Sequence, residues 1–169
     1  MLTSQAAEEP KPHMMTEMFT VHDIAHWFLK NKKGITNKKL QKLAYYAYSW
    51  YLVLNNENTD NITIRFFENK FEAWMHGAVY PELHTMYKKY GSGAIPVYEG
   101  SLPEFTENDL NILNQVLAVY GGFTGHELES ICLQESPWQT ARKSLPEHKP
   151  SHEPITDKAI FDYYSARLS

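Results

Sequence analysis

Apolar residues recur with helical spacing along much of the chain, and the longest such stretch runs from Lys39 to Leu54. Its apolar side chains return at steps of three and four residues, the period of one helix face: Leu40, Leu43, Ala47, Trp50, Tyr51 and Leu54. Tyr46 and Val53 widen this stripe over most of the circumference. A helix that is apolar nearly all round is buried on several sides. The pattern therefore predicts a central helix at about 37–55.

Further helices are predicted on both sides of this stretch. Threonine, a good N-cap residue, precedes apolar-periodic segments at Thr20, Thr36, Thr106, Thr124 and Thr156. These predict helices at about 21–31, 107–120, from 125 to before Pro137, and 157–168, in addition to the central helix. Pro81 suits the first turn of another helix at about 80–90, because that position needs no amide hydrogen.

Two short runs rich in β-branched and aromatic residues, Ile62–Phe67 and Lys70–Trp74, predict the two strands of a β-hairpin. Glu68-Asn69 would form the turn between them. The predicted fold class is therefore mainly α, a single compact helical domain around the central helix with a small β-hairpin at about 62–74. We expect residues 1–19 to be a flexible leader, 20–143 the helical domain, 144–155 a linker, and 156–169 a C-terminal helix that packs on the domain.

The composition restricts the class of protein. A chain of 169 residues with 43% apolar residues can form one domain with a proper core. The formal charge of −4 gives no overall attraction for nucleic acid or anionic membrane. The single cysteine, Cys132, excludes an intramolecular disulfide and a multi-cysteine zinc site. It favours a reducing compartment, and we expect a cytoplasmic protein.

One local cluster of charge departs from this acidic balance. Six lysines fall within the first two predicted helices and the turn between them: Lys30, Lys32, Lys33, Lys38, Lys39 and Lys42. Lys38 and Lys39 lie in a first helical turn, where an exposed cation costs about 0.3–1 kcal/mol. Solvated surface charge explains such a cluster, and the alternative is a patch for phosphates or an acidic partner. In a helix-turn-helix-like unit the same lysines would bind nucleic acid.

The sequence contains no complete catalytic constellation. His22 and His26 are one helical turn apart, which is half of a zinc-protease motif, but Asp23 replaces its glutamate and no third ligand is apparent. Cys132 falls on the inner face of a helix without a partner base. Gly91-Ser92-Gly93 closes a helix, whereas phosphate loops open one. We therefore predict no enzymatic activity and no cofactor, and keep a metal hydrolase as the least favoured alternative.

Aromatic residues are the other excess, with 11 tyrosines and 4 tryptophans. Most fall at helical spacing with leucines and should be core. A surplus at the surface would favour protein binding over catalysis, because tyrosine and tryptophan are enriched at interface hot spots.

Three stretches, in the same order, resemble the Panacea antitoxin domain, a family that includes phage-associated GepA-like proteins and SocA-like antitoxins that act as proteolytic adaptors. They are KLQKL at 39–43 with the aromatic run behind it, FEAWMHGAVYPEL at 71–83, and residues 128–138 ending in QESPW. This chain has Ala78 where the family usually has proline, and Cys132-Leu133 where it commonly has Thr-His. The second difference argues against an enzymatic role here.

The resemblance implies a mostly helical bacterial protein that neutralises a cognate toxin by direct binding, and that in some relatives delivers the toxin to a protease. It implies that the motif residues Leu40, Gln41, Leu43, Trp50, Gly77, Pro81, Pro137 and Trp138 are structural. For the surface that binds the partner we predict Lys38, Lys39, Lys42, Trp74, His76, Tyr80 and Glu82. The alternative function is a nucleic-acid-binding regulator that uses the lysine cluster.

Overall fold

The computed structural model describes residues 18–143 and 145–168. Its elements in chain order are α1 (Val21–Asn31), α2 (Asn37–Leu54), β1 (Glu72–Trp74), β2 (Gly77–Val79), α3 (Pro81–Tyr87) with a 3-10 turn (Lys88–Tyr90), α4 (Glu107–Tyr120), α5 (Gly125–Leu133), α6 (Ser136–Arg142) and α7 (Asp157–Ser165). The predicted mainly α fold with a small β-hairpin is confirmed. The predicted leader lies almost wholly in residues 1–17, outside the described residues.

Helix α2 is the centre of the fold, as its apolar pattern predicts. Every residue in it except Lys38 and Leu54 is buried. The helices α1, α3, α4, α5 and α7 and strand β2 all pack against it. Because α2 is enclosed on all sides, residues from distant parts of the chain meet around it.

The five threonines predicted as N-caps all have that role. Each side-chain oxygen accepts a hydrogen bond from the third residue of the helix that follows. At Thr124 the predicted capping box is complete, because the Thr124 amide also donates to the Glu127 carboxylate over 2.8 Å. Local side-chain chemistry therefore sets these helix starts.

The position of the hairpin differs from the prediction. The strands are β1 and β2, joined by the two-residue turn Met75-His76 with Trp74 paired to Gly77, and residues 62–67 form no strand. The reason is Asn56, whose side-chain oxygen accepts from the amides of Thr63 and Ile64 over 3.0 and 3.1 Å. A side chain thus takes the place of a strand partner for this segment.

Helix α6 was not predicted, because Pro137 was interpreted as the end of the preceding helix. Proline is accepted in a first helical turn, and Pro137 occupies that place in α6. The buried guanidinium of Arg142, at the end of α6, then donates to the carbonyl oxygens of Pro146 and Lys149. The division of the chain into domain and linker stays a prediction.

A buried polar cluster attaches α7 to α2. The Glu135 carboxylate accepts hydrogen bonds from the hydroxyls of Tyr46, on α2, and Tyr164, on α7, over 2.8 and 2.7 Å. Burial raises the pKa of Glu135 above its ordinary value, and the hydrogen bonds from the two tyrosines oppose this. The predicted surplus of surface aromatics is small, because most tyrosines and tryptophans are buried.

Candidate functional site

A pocket of about 530 Å³ opens where the N-terminal ends of α2 and α5 meet the β-hairpin. Its walls come from α2 and the residue before it (Thr36, Asn37, Lys38, Gln41, Lys42), the hairpin (Trp74, His76, Val79), α3 and the turn after it (His84, Gly91, Ser92) and the start of α5 (Thr124, Gly125, His126). Segments that are far apart in the sequence therefore form one concave site.

Both helices present their positive ends to this pocket. The first turn of a helix leaves amide groups without an acceptor, and the helix dipole adds partial positive charge there. Among the described residues, the amides of Lys38 on α2 and of Gly125 and His126 on α5 have no acceptor. The two ends lie close together, since a Cβ on Gly125 would be 3.3 Å from the Lys39 amide nitrogen.

Lys42 supplies a buried ammonium group at the pocket wall. Only 1% of this residue is exposed. Among the described residues its side-chain nitrogen has no ion pair, and it is not one of the fully enclosed polar atoms that lack a hydrogen-bond partner, so it reaches the space of the pocket. Burial lowers the pKa of Lys42 to about 8, against the attraction of Glu129. A buried cation without a direct partner is costly, so this lysine is unusual for a purely structural residue.

Glu129 connects α5 to both α2 and the hairpin turn. Its carboxylate lies 2.5 Å from the Lys38 ammonium and 3.0 Å from Nδ1 of His76. Burial acts to raise the pKa of Glu129, but the hydrogen bonds from these two partners hold it below its ordinary value. The carboxylate is thus already shared by two neighbours and only partly offsets the charge of Lys42.

The family-motif residues surround this site or lie in the core. Gln41 joins α2 to the hairpin, because its side-chain oxygen accepts from the Tyr80 amide over 2.9 Å. The indole nitrogen of Trp138 donates to the Trp74 carbonyl over 2.7 Å. Pro81 is in the first turn of α3, and Pro137 is buried in α6. The remaining apolar members are fully buried: Leu40, Leu43 and Trp50.

Gly77, another motif residue, has a conformation that suits only glycine. Its φ is +106°, and a Cβ there would lie 2.9 Å from Cε of Lys42. Gly77 therefore makes room for the lysine stem and lets the hairpin turn close.

Four of the seven residues predicted for partner binding come together in the pocket: Lys38, Lys42, Trp74 and His76. Trp74 is half-buried and His76 is exposed at the rim. Whether these residues contact a partner remains a prediction.

The other three lie elsewhere. Lys39 is buried and donates to the Gly121 carbonyl over 2.6 Å, so it caps the C-terminal end of α4. Tyr80 is buried, and its hydroxyl donates to the Glu68 carbonyl. Glu82 is exposed but pairs with His22, outside the pocket lining. Because Lys39 and Tyr80 are buried, they are not part of the exposed surface around the pocket. Glu82 is exposed but does not line the pocket.

Sequence reasoning missed His84, Thr124, Gly125 and His126 as part of this site. The capping box at Thr124 was visible in the sequence, but it does not show which other helix end lies nearby. Only the packing of α5 across α2 brings the two termini together.

The lysine cluster does not form a continuous basic face. Lys30 donates to the Gly100 carbonyl over 3.0 Å, Lys38 pairs with Glu129, and Lys39 and Lys42 are buried. A recognition helix needs an exposed face for a DNA groove, and α2 has none in the structure. No geometric feature of the described residues favours the nucleic-acid alternative.

The two histidines of α1 contact different partners. His22 Nε2 lies 2.5 Å from the Glu82 carboxylate, whereas His26 stacks on Tyr98 with ring centres 3.8 Å apart. Across residues 18–143 and 145–168, no group of three or more histidine, cysteine or acidic side chains is arranged to hold a metal ion.

The thiol of Cys132 is fully buried, and burial raises its pKa to about 12. This is the small buried residue that the helix pattern predicts.

No helix in the described residues is long and apolar enough to cross a membrane.

Comparison with known proteins gives one family. The model of the family described as antitoxin SocA-like, Panacea domain, matches residues 40–139, which run from the first turns of α2 into α6. No curated protein and no solved structure matches the chain. The matched segment covers more than half of the sequence and includes Gln41, Lys42 and the whole hairpin. The protein therefore belongs to the SocA-like antitoxin family with a Panacea domain.

Proposed function

We propose that this protein is an antitoxin that neutralises a cognate bacterial toxin by direct protein–protein binding. The observation that carries the proposal is the family match over residues 40–139. The expected partner is the product of a neighbouring gene, and the mode of action is binding rather than catalysis.

The pocket rim is the surface we propose for toxin binding. Trp74 is half-buried there, and its ring is held by a hydrogen bond from the indole nitrogen to Glu72 over 2.8 Å. His84 and His152 pack against the same ring. A tryptophan that is already fixed in place loses little side-chain entropy on binding, which suits a hot spot.

The environment of Cys132 agrees with a protein that works by binding. Its neutral, buried thiol is not a nucleophile at ordinary pH. Neutralisation by binding requires only a complementary surface, and the pocket with polar groups at its rim is the surface that we propose for it.

Co-expression tests the proposal directly. We expect the neighbouring gene product to stop bacterial growth alone and to be harmless when this protein is produced with it. The two proteins should also co-purify. A neighbour that is harmless alone, or that stays toxic beside this protein, would contradict the proposal. The adaptor variant of the function adds a second expectation, namely that the half-life of the toxin shortens when this protein is present.

A further inference from the structure

Lys42 is a buried charge that neutralisation by surface contact leaves unexplained. Its ammonium group has no hydrogen-bond partner among the described residues, yet only 1% of the surface of the residue is exposed. Buried cations in proteins are normally paired with an anion. The group contributes to the wall of a pocket that is large enough for a small organic molecule.

Other positive groups converge on the same space. The free amides of Lys38, Gly125 and His126 belong to the first turns of two helices, α2 and α5, of 18 and 9 residues. Helix N-termini with free amides bind phosphate and carboxylate groups, because the amides donate hydrogen bonds and the dipole favours negative charge. Two such ends and the Lys42 ammonium group therefore place positive charge at one pocket.

The remaining charged groups do not cancel this field. Glu129 faces Lys38 and His76 and is hydrogen-bonded by both. With the histidines neutral, Lys38 and Glu129 balance each other and Lys42 leaves one positive charge. His84 and His126 also line the pocket and would add positive charge if protonated.

Apolar side chains supply the rest of the wall. Trp74 and Val79 line the pocket from the hairpin. A ligand with both a charged end and an apolar body would therefore satisfy more of the pocket than an inorganic ion would.

We infer that this pocket binds a small organic anion, with its phosphate or carboxylate group against Lys42 and the free amides of α2 and α5, and its apolar body against Trp74. The anionic group can come from a free small molecule or from an acidic residue of the bound toxin. Both sources present the same chemistry to Lys42.

Titration calorimetry on the full chain tests the inference with four probes: phenyl phosphate, phenylacetate, inorganic phosphate and phenol. We expect the two organic anions to bind with Kd below about 1 mM, and phenol to bind at least about tenfold more weakly. Lys42→Met should weaken anion binding at least about tenfold, and Lys33→Met, at an exposed lysine, should not change it. No binding of either organic anion, equal binding of phenol, or full binding by Lys42→Met would overturn the inference.

A second measurement uses the unaltered protein and so does not depend on the folding of a variant. In amide NMR spectra, phenyl phosphate should shift the resonances of Lys38, Gly125 and His126 more than those of α7. Shifts confined to other regions, or no shifts, would overturn the inference.

Titration of phenyl phosphate into the complex with the toxin distinguishes the two sources of the anion. This experiment alone rests on the proposed function. Competition that disappears when one acidic residue of the toxin is changed to its amide, while the toxin still binds, would identify that residue as the natural occupant. Unchanged affinity for phenyl phosphate would identify a free small molecule. Failure of neutralisation would remove this step alone, since probe binding is measured on the isolated chain.

Discussion

The side chain of Lys42 passes directly over the α-carbon of Gly77, where a Cβ would lie 2.9 Å from Cε of the lysine. This contact joins the central helix to the first residue of β2. It ties the shape of the hairpin to the position of the buried Lys42 side chain.

Replacement of Gly77 should therefore be costly for two reasons. Gly77→Ala places a side chain at a φ of +106° and presses it against Lys42. We expect a loss of about 2 kcal/mol in the free energy of unfolding, measured by urea denaturation. Gly34→Ala is the matched control, because Gly34 also has a positive φ, +78°, but a Cβ there meets nothing within 4 Å. Equal losses in the two variants would contradict the role given to the Lys42 contact.

The buried charge of Lys42 predicts a particular dependence on pH. Its pKa falls from an ordinary 10.5 to about 8 on folding, so the unfolded chain holds this proton more tightly. The cost of the charge is complete below about pH 8 and is relieved as the pH rises towards 10.5. Lys42→Met should thus be more stable than the unaltered protein at neutral pH, by up to about 3 kcal/mol.

That difference should shrink when the two proteins are compared at about pH 9.5, because Lys42 is mostly neutral there in the folded protein. Other titrating groups are common to both proteins, so their contributions cancel. Urea denaturation at each pH gives the two free energies. A difference that is the same at both pH values would show that Lys42 has an ordinary pKa in the folded protein.

The tyrosine pair on Glu135 should hold α7 in place. Tyr164→Phe removes the hydrogen bond of 2.7 Å to the buried carboxylate. We expect a loss of about 1.5–3 kcal/mol, the range for hydrogen bonds to charged groups. Tyr90→Phe, whose hydroxyl makes no hydrogen bond among the described residues, should change stability by less than about 0.5 kcal/mol. Similar losses in both would contradict the account of this cluster.

Local chemistry in the sequence was enough to place every helix except α6, which was missed because Pro137 was interpreted as a helix end. Thr36 and Thr124 start α2 and α5 through their own side chains, and the apolar repeat fixes the burial of α2. The hairpin was misplaced because Asn56, whose side chain binds the backbone of residues 63–64, gives no strand-breaking signal of its own.

The site was harder to predict because its properties come from contacts between distant segments. Lys39 was expected at the surface, but its partner, the Gly121 carbonyl, is supplied by the end of α4. Tyr80 was expected there too, and the Glu68 carbonyl holds its hydroxyl inside. A sequence shows that a lysine follows a helix start, but the packing of other helices decides whether that lysine is exposed.

The central claim, that the pocket rim binds a toxin, is tested most directly by the affinity between this protein and the purified product of the neighbouring gene. The variant with Trp74→Ala and His76→Ala removes the two rim side chains but keeps the Trp74 carbonyl that binds Trp138. Its matched control carries Tyr163→Ala and His148→Ala, which remove a half-buried aromatic and an exposed histidine elsewhere. We predict that the rim variant binds at least about 100-fold more weakly, a loss of about 2.7 kcal/mol, and that the control binds normally. Unchanged affinity in a folded rim variant would contradict the claim.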